Sequence, residues 1–274
     1  AVQWISLGRA DNSVVRQAID AGVHFSELFE VAPVATCPSD FKRVTTTWGT
    51  ECLKAKQPVL ASRLETRRYA AMLGATTEFN KTEGVAFDEK NRELYVAVSS
   101  VSVGMLDEQS PARGPEGFER ADVDDHIRVD ENVCGAIYRG AMGEGVDRGG
   151  EPIDSPWVVR SVREALAGVP QEGGACSEAG IANPDNLAFS NEHGLLLIAE
   201  DTSRHESDTL WTWSVDSKEL TPVLRVDQPG EVSGLGWYPD IGGYGYMTVA
   251  VQYNDSDFPG LQSVAGLLGP FPKP

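Results

Sequence analysis

The sequence predicts an all-β protein, a β-propeller with about half of the ring present and short helical insertions. Two observations lead there. The first is a phrase that returns three times: Lys81-Thr-Glu-Gly-Val-Ala-Phe-Asp88 before Glu93-Leu-Tyr-Val-Ala-Val-Ser99, Asn183-Pro-Asp-Asn-Leu-Ala-Phe-Ser190 before Gly194-Leu-Leu-Leu-Ile-Ala-Glu-Asp201, and Glu231-Val-Ser-Gly-Leu-Gly-Trp237 before Tyr244-Gly-Tyr-Met-Thr-Val-Ala-Val-Gln252. A repeated hairpin unit marks stacked or radially arranged sheets. The second is composition: 28 Gly and 16 Pro, with Val, Leu, Tyr and Trp alternating and few long helical periods. Small residues between larger ones suit the crowded inner strand of a blade. Glu83, Asp185 and Glu231 open the three units and would look into a shared channel.

In chain order, Trp4-Ile-Ser-Leu7 reads as a short strand. Asp11-Asn-Ser13 reads as a cap for a helix running to Ala21-Gly22. Phe25–Glu30 continues an amphipathic surface until Pro33 and Pro38 break any helix. Arg43–Thr47 is β-branched enough for a small strand. Leu64–Gly74 is a helix of good formers stopped by glycine. On it Arg67 and Arg68 face different ways, reaching an acidic neighbour or an anionic substrate, or forming plain surface ion pairs.

Residues 1–76 thus form a partial blade with a helical insertion. Residues 77–274 hold the blades 77–168, 181–226 and 231–252 and a Gly/Pro-rich tail, all within one structural domain. The first blade has strands at Val85–Phe87, Leu94–Ser99, Gly135–Arg139 and Trp157–Val162. Its acidic insertion, Asp107–Asn132, contains Asp122-Val-Asp-Asp125, which lacks the calcium-loop glycine and reads as a solvated loop. The second blade ends in the hairpin Thr209–Val226, and the third has only its inner strands. Half a ring would leave two long sheet edges bare, so the missing half of the propeller, or a larger assembly, is the expected partner.

A net charge of −18 argues against binding a nucleic-acid backbone. No run of about 18 apolar residues is present to span a membrane. Ala1-Val-Gln-Trp-Ile-Ser6 lacks the basic start and apolar core of a signal peptide, so a mature or trimmed product is expected. Cys37, Cys52, Cys134 and Cys176 show no zinc spacing. Two readings stand: two disulfides, Cys37 with Cys52 the best local pair and Cys134 with Cys176 left over, or buried free thiols in a reducing compartment.

No nucleophile elbow, His-Glu-x-x-His or phosphate-binding glycine loop occurs, and four histidines exclude a histidine-rich metal site. Oxygen ligands remain. Carboxylates from repeated units that converge in a confined space repel unless a hard cation such as Ca²⁺ neutralises them. The competing reading is that each acid caps its own turn.

Several strings resemble the PhoX-type alkaline phosphatases: Leu64–Ala71 with Gly74–Val85, Asn132–Tyr138, Ile181–Leu187, Glu200–His205 and Trp237–Gly243. The resemblance runs nearly end to end and covers the C-terminal half of that family's longer chain. It implies a six-bladed propeller, export to a periplasm, organelle lumen or the extracellular space, and hydrolysis of a small phosphate ester by a cluster of iron and calcium ions. It marks Glu83, Asp185, Glu200 and Glu231 as metal ligands and Arg204 and His205 as contacts to substrate oxygens. The family's early segment, which supplies a cysteine and further acids, has no counterpart here. The cluster in this chain alone would therefore be incomplete. The alternative is a propeller-derived binding or scaffold subunit that does no chemistry.

Overall fold

The computed structural model describes residues 1–46, 49–107, 125–227, 230–253 and 262–273. Asp122 and Asp124 of the acidic insertion lie outside them. The chain is mostly β and forms four antiparallel sheets.

The N-terminal part packs helices α1 (Asn12–Asp20), α2 (Phe25–Leu28), α3 (Pro58–Leu64) and α4 (Thr66–Met72) around a small sheet of β1 (Phe29–Ala32), β2 (Lys42–Thr46) and β3 (Gly49–Ala55), ordered β1-β3-β2. Leu28, Phe29, Val44, Leu53 and Ala61 form its buried core. The expected helix over Leu64–Gly74 is α4; Leu64 instead ends the preceding helix α3, and between the two Glu65 leaves helical geometry at φ −135°, ψ 47°. Pro58, whose missing N–H costs nothing in a first turn, begins the earlier one. Asp11 stands at the N-cap of α1 but makes no side-chain cap. The expected strand at Trp4 reduces to one bridge with Asp147, held by the Trp4 indole N–H donating to the Val159 carbonyl at 2.7 Å.

Three up-and-down sheets follow. The first joins β4 (Thr82–Asp88), β5 (Glu93–Val98), β6 (Ala136–Val146) and β7 (Pro152–Ala167). The second joins β8 (Pro184–Ser190), β9 (Leu195–Glu200), β10 (Ser207–Ser214) and β11 (Leu220–Asp227). The third joins β12 (Glu231–Ile241), β13 (Tyr244–Gln252) and β14 (Val264–Phe271). The Gly/Pro-rich tail therefore supplies a third strand to a sheet expected to hold only two. Its uncharged Val-Ala-Gly-Leu-Leu run pairs with β13 from Val251↔Val264 to Met247↔Leu268.

The sheets stack by the period-two rule of strands, with alternate side chains on opposite faces. Tyr95, Ala97 and Ile137 of the first sheet meet Leu187, Leu196, Ile198, Trp211 and Trp213 of the second. Leu197, Ala199 and Leu210, on the second sheet's other face, meet Val232, Met247 and Val249 of the third. Both cysteine pairs are disulfides, Cys37–Cys52 and Cys134–Cys176, the pattern of proteins that fold outside the reducing cytosol. Among the described residues no helix is long and apolar enough to cross a membrane.

The first strands β4 and β8 lie so close that a Cβ on Gly84 would stand 2.3 Å from the Asp185 carbonyl oxygen and 2.6 Å from the Leu187 nitrogen. Backbone cannot yield as a flexible side-chain end can. Gly84→Ala is therefore expected to cost about 1–3 kcal/mol. Gly266→Ala, where a Cβ meets nothing within 4 Å, should change stability by less than about 0.5 kcal/mol. Urea denaturation of the two variants checks this; equal midpoints would show that the strands do not pack so closely.

Candidate functional site

Each first strand carries a β-bulge at its start, where the register slips between Thr82 and Val85, between Pro184 and Leu187, and between Ser233 and Gly236. Bulges re-aim side chains and gather beside functional sites. The bulges align Glu83 with Asp185 and with Gly234, so the third repeat has no acid at that place. Glu231 stands three residues earlier, at the position of Asn80 and Ala182, and its carboxyl still joins the group.

Four carboxylates from three sheets gather at the inner end: Glu83, Asp185, Glu231 and Asp201, the residue that follows β9. Asp185 and Glu231 are half-buried, while Glu83 and Asp201 are exposed. Burial, then the charges of Asp201, Asp185 and Glu83, push the Glu231 carboxyl up to about 7. Burial, then Glu83 and Asp201, raise Asp185 as well, against the opposing pull of Lys81 and an Asn186 hydrogen bond.

Three contacts hold the acids in place. Lys81 Nζ lies 3.2 Å from Glu83 Oε1. Asn186 Nδ2 donates to Asp185 at 2.6 Å, and Gln252 Nε2 donates to Glu231 at 2.9 Å. Asn183, at φ 41°, fixes the frame between the first two sheets. Its amide donates to the Ser99 carbonyl at 2.6 Å and the Val133 carbonyl at 2.8 Å, and its oxygen accepts from Thr202 at 2.6 Å.

Of the residues singled out by sequence, Glu83, Asp185 and Glu231 come together. Glu200, Arg204 and His205 do not join them. Glu200 is completely buried and accepts from the Ala182 N–H at 2.8 Å, the Thr209 N–H at 3.0 Å and the Trp211 indole at 2.7 Å, with His205 Nδ1 at 3.1 Å. Its oxygens are taken up inside the second sheet. His205 is enclosed between Glu200 and the Ser177 carbonyl, 3.1 Å from Nε2, and the Arg204 guanidinium donates to the Gly174 carbonyl. Both tie the connector before the second sheet to that sheet.

Sequence reasoning passed over Asp201 and Lys81. The signal for Asp201 was present, since neighbours on a strand point to opposite faces: with Glu200 turned inward, Asp201 turns toward the acids.

The donor set is all oxygen, which suits a hard cation such as Ca²⁺. Among the described residues no three His, Cys, Asp or Glu side chains are already spaced as a ligand set, so a bound cation would draw these acids closer and displace Lys81 from Glu83. Iron fits less well. Every cysteine is in a disulfide, and His205 is spent on Glu200 and Ser177 while His193 contacts Ser190 and Pro272.

No protein-family model matches the chain, and no curated protein matches it. Among solved structures, it is similar to Pseudomonas fluorescens PhoX in complex with vanadate, a transition state analogue, at 18% identity and a TM-score of 0.49, over 76% of this chain. It spans 36% of that protein's chain. A nidogen/laminin complex matches at 12% identity and a TM-score of 0.28, over 85% of this chain and 80% of the other.

Both neighbours of the His205 ring are acceptors, so the ring satisfies both only as an imidazolium. Burial opposes that charge, but the Glu200 hydrogen bond and charge, with Glu178 and the Ser177 carbonyl, outweigh it and raise the pKa above the usual 6.5. A histidine held above its unfolded pKa contributes fully below about 6.5 and loses that contribution as pH rises through the folded value. Denaturation across that window should show wild type weakening with rising pH. His205→Gln should be less stable by about 3–5 kcal/mol and lack that decline; an unchanged pH profile would show His205 neutral in the fold.

Proposed function

We propose that this chain is part of a PhoX-like, metal-dependent phosphomonoesterase that acts outside the cytoplasm, in a periplasm, an organelle lumen or the extracellular space. Its acids Glu83, Asp185, Asp201 and Glu231 hold a calcium ion at the inner end of the sheets. The observation that carries this reading is the convergence of four carboxylates from three separate sheets, a costly arrangement that a hard cation relieves. A cation at such a place polarises phosphoryl oxygens and neutralises charge that develops on them. The chain's own contribution is to hold the carboxylates at bulges, to keep Asp185 and Glu231 partly out of water, and to position them through Asn186, Gln252 and Asn183.

The strings that resemble the phosphatase family are what point this reading to a phosphate ester as substrate. Further ligands, iron among the metals they would bind, belong in this reading to sheets that complete the ring. The uncovered face of the third sheet supports such a partner. Tyr238 pairs across with Tyr246, and Leu267 with Thr248, on the face turned away from the second sheet. Tyr238 is 45% and Leu267 56% exposed there. The same face favours the second reading, a propeller-derived scaffold subunit docked on a larger assembly.

Calcium decides between them. The folded chain holds the Glu231 proton more tightly than the unfolded chain does, so without calcium its contribution to stability declines as pH rises from about 4.5 to about 7. Above that pH, calcium is expected to raise the melting temperature. Its affinity should weaken as pH falls through about 7, where the Glu231 proton competes. Asp185→Asn and Glu231→Gln should each lower the affinity by about tenfold or more, read by calorimetry. A melting temperature indifferent to calcium would leave the scaffold reading in place.

A further inference from the structure

The three sheets stack in series, each entering a receiving face of the next. Tyr95, Ala97 and Ile137 of the first sheet enter the face of the second that carries Leu187, Phe189, Leu196 and Ile198. There the Tyr95 ring stacks on Phe189 at 5.8 Å between centroids and meets Trp213 edge-on at 6.2 Å. The first sheet has a receiving face of the same build on its other side. Val85↔Val96 and Phe87↔Leu94 follow the β4 bulge as Leu187↔Ile198 and Phe189↔Leu196 follow the β8 bulge. Alternation turns these residues away from Ala86, Tyr95 and Ala97, which face the second sheet. The Trp157 ring joins them, edge-on to Phe87 at 5.3 Å. Toward the inner end this face is covered, Val98 and Tyr138 packing with Val101 and Met105. Farther out it is bare: Val85 is 56% exposed, whereas Leu187 at the same register is 8% exposed. At the other end of the series the third sheet stops on an entering face, where Tyr238 stands beside Tyr246 and Leu267 beside Thr248, with Tyr238 and Leu267 open to solvent.

We propose that the partner is a second copy of this chain, its first-sheet face seated on the third-sheet face of this one, with the contact made twice in a closed pair. The chain carries both halves of a contact that it already makes inside itself: a tyrosine-bearing entering face at one end and a Val/Leu/Phe receiving face at the other. Because the halves differ, the contact is head-to-tail, and two copies cover all four end faces only when both contacts form. Bare apolar faces of this kind mark protein contacts, and aromatic side chains near their centre carry much of the binding energy. The inference deepens the reading above by naming what completes the ring, and rests on that reading only for the role of the acids. A second copy brings a second set of the same four carboxylates, which extends a calcium site and adds no cysteine thiolate for iron.

The test is analytical ultracentrifugation of this chain, with calcium present and with calcium chelated. Salt of about 0.15 M screens the charge of each copy beyond roughly 8 Å. The chain should sediment at twice its single mass of 29.5 kDa. Val85→Glu and Leu267→Glu, both at side chains exposed in the single chain, should each weaken pairing by about tenfold or more. Mixed together, the two variants should pair where neither pairs alone, because the third-sheet face of one and the first-sheet face of the other are intact. A chain that stays single at about 100 μM overturns the proposal. So does a pair that either substitution leaves unchanged, and so does absence of recovery on mixing variants that keep the wild-type circular dichroism. Pairing by a wild type that binds no calcium overturns the metal reading and spares the pair.

Discussion

The close approach of β4 to β8 is the constraint on which the remaining structure depends. With no side chain at position 84, two backbones come within van der Waals reach, and the bulges of both strands are forced into register beside each other. That register sets Glu83 against Asp185. It also lets Asn183 span the two sheets and hold the Ser99 and Val133 carbonyls. A longer residue at 84 would part the strands, open the Asn183 clamp and separate the acids in one step. The site is thus a product of packing at the inner strands.

Gathering like charges is tolerable here because the neutralisation is partial and unequal. Lys81 reaches Glu83, while among the described residues Asp185 and Glu231 accept from amide donors. Glu231 is correspondingly the acid whose proton is held most firmly, up to about 7. The Glu200–His205 pair shows the other solution to the same problem: complete burial with every acceptor filled and a cation beside it. The first arrangement leaves two acids exposed, Glu83 and Asp201, and theirs is the charge that the proposed calcium ion neutralises. The second spends its charge on joining the Cys134–Cys176 region to the second sheet, through Ser177 and the Ala182 N–H.

Much of this was legible in the residues. The threefold phrase located all three first strands, alternation of Val, Leu and Trp located their partners, and the local cysteine pair closed as expected. What was not legible followed from register. A bulge adds a residue to one strand only, so matching the third phrase by its leading acid set Glu231 against Glu83 when the true counterpart is Gly234. The helix α3 before Glu65 was hidden and Leu64 was assigned to the helix after it, because Leu64 and Glu65 are both good helix formers. The strand β14 was hidden because Gly and Pro in 259–274 read as punctuation, whereas pairing with β13 supplied the order that local propensity withheld.

Glu200 and Asp201 show how finely the outcome is set. They are adjacent acids at the end of one strand, indistinguishable by composition and equally placed for a channel. A strand sends successive side chains to opposite faces, so one of them had to enter the sheet interior. The interior side is decided by Leu196 and Ile198, which share the face of Glu200 and pack with Trp211 and Trp213 toward the first sheet. The hydrophobic register of β9 therefore assigns the roles: shifted by one residue, Asp201 would be the buried anion beneath Trp211 and Glu200 the side chain among the acids. The chemistry of the inner end is written in the apolar residues of β9 as much as in the carboxylates themselves.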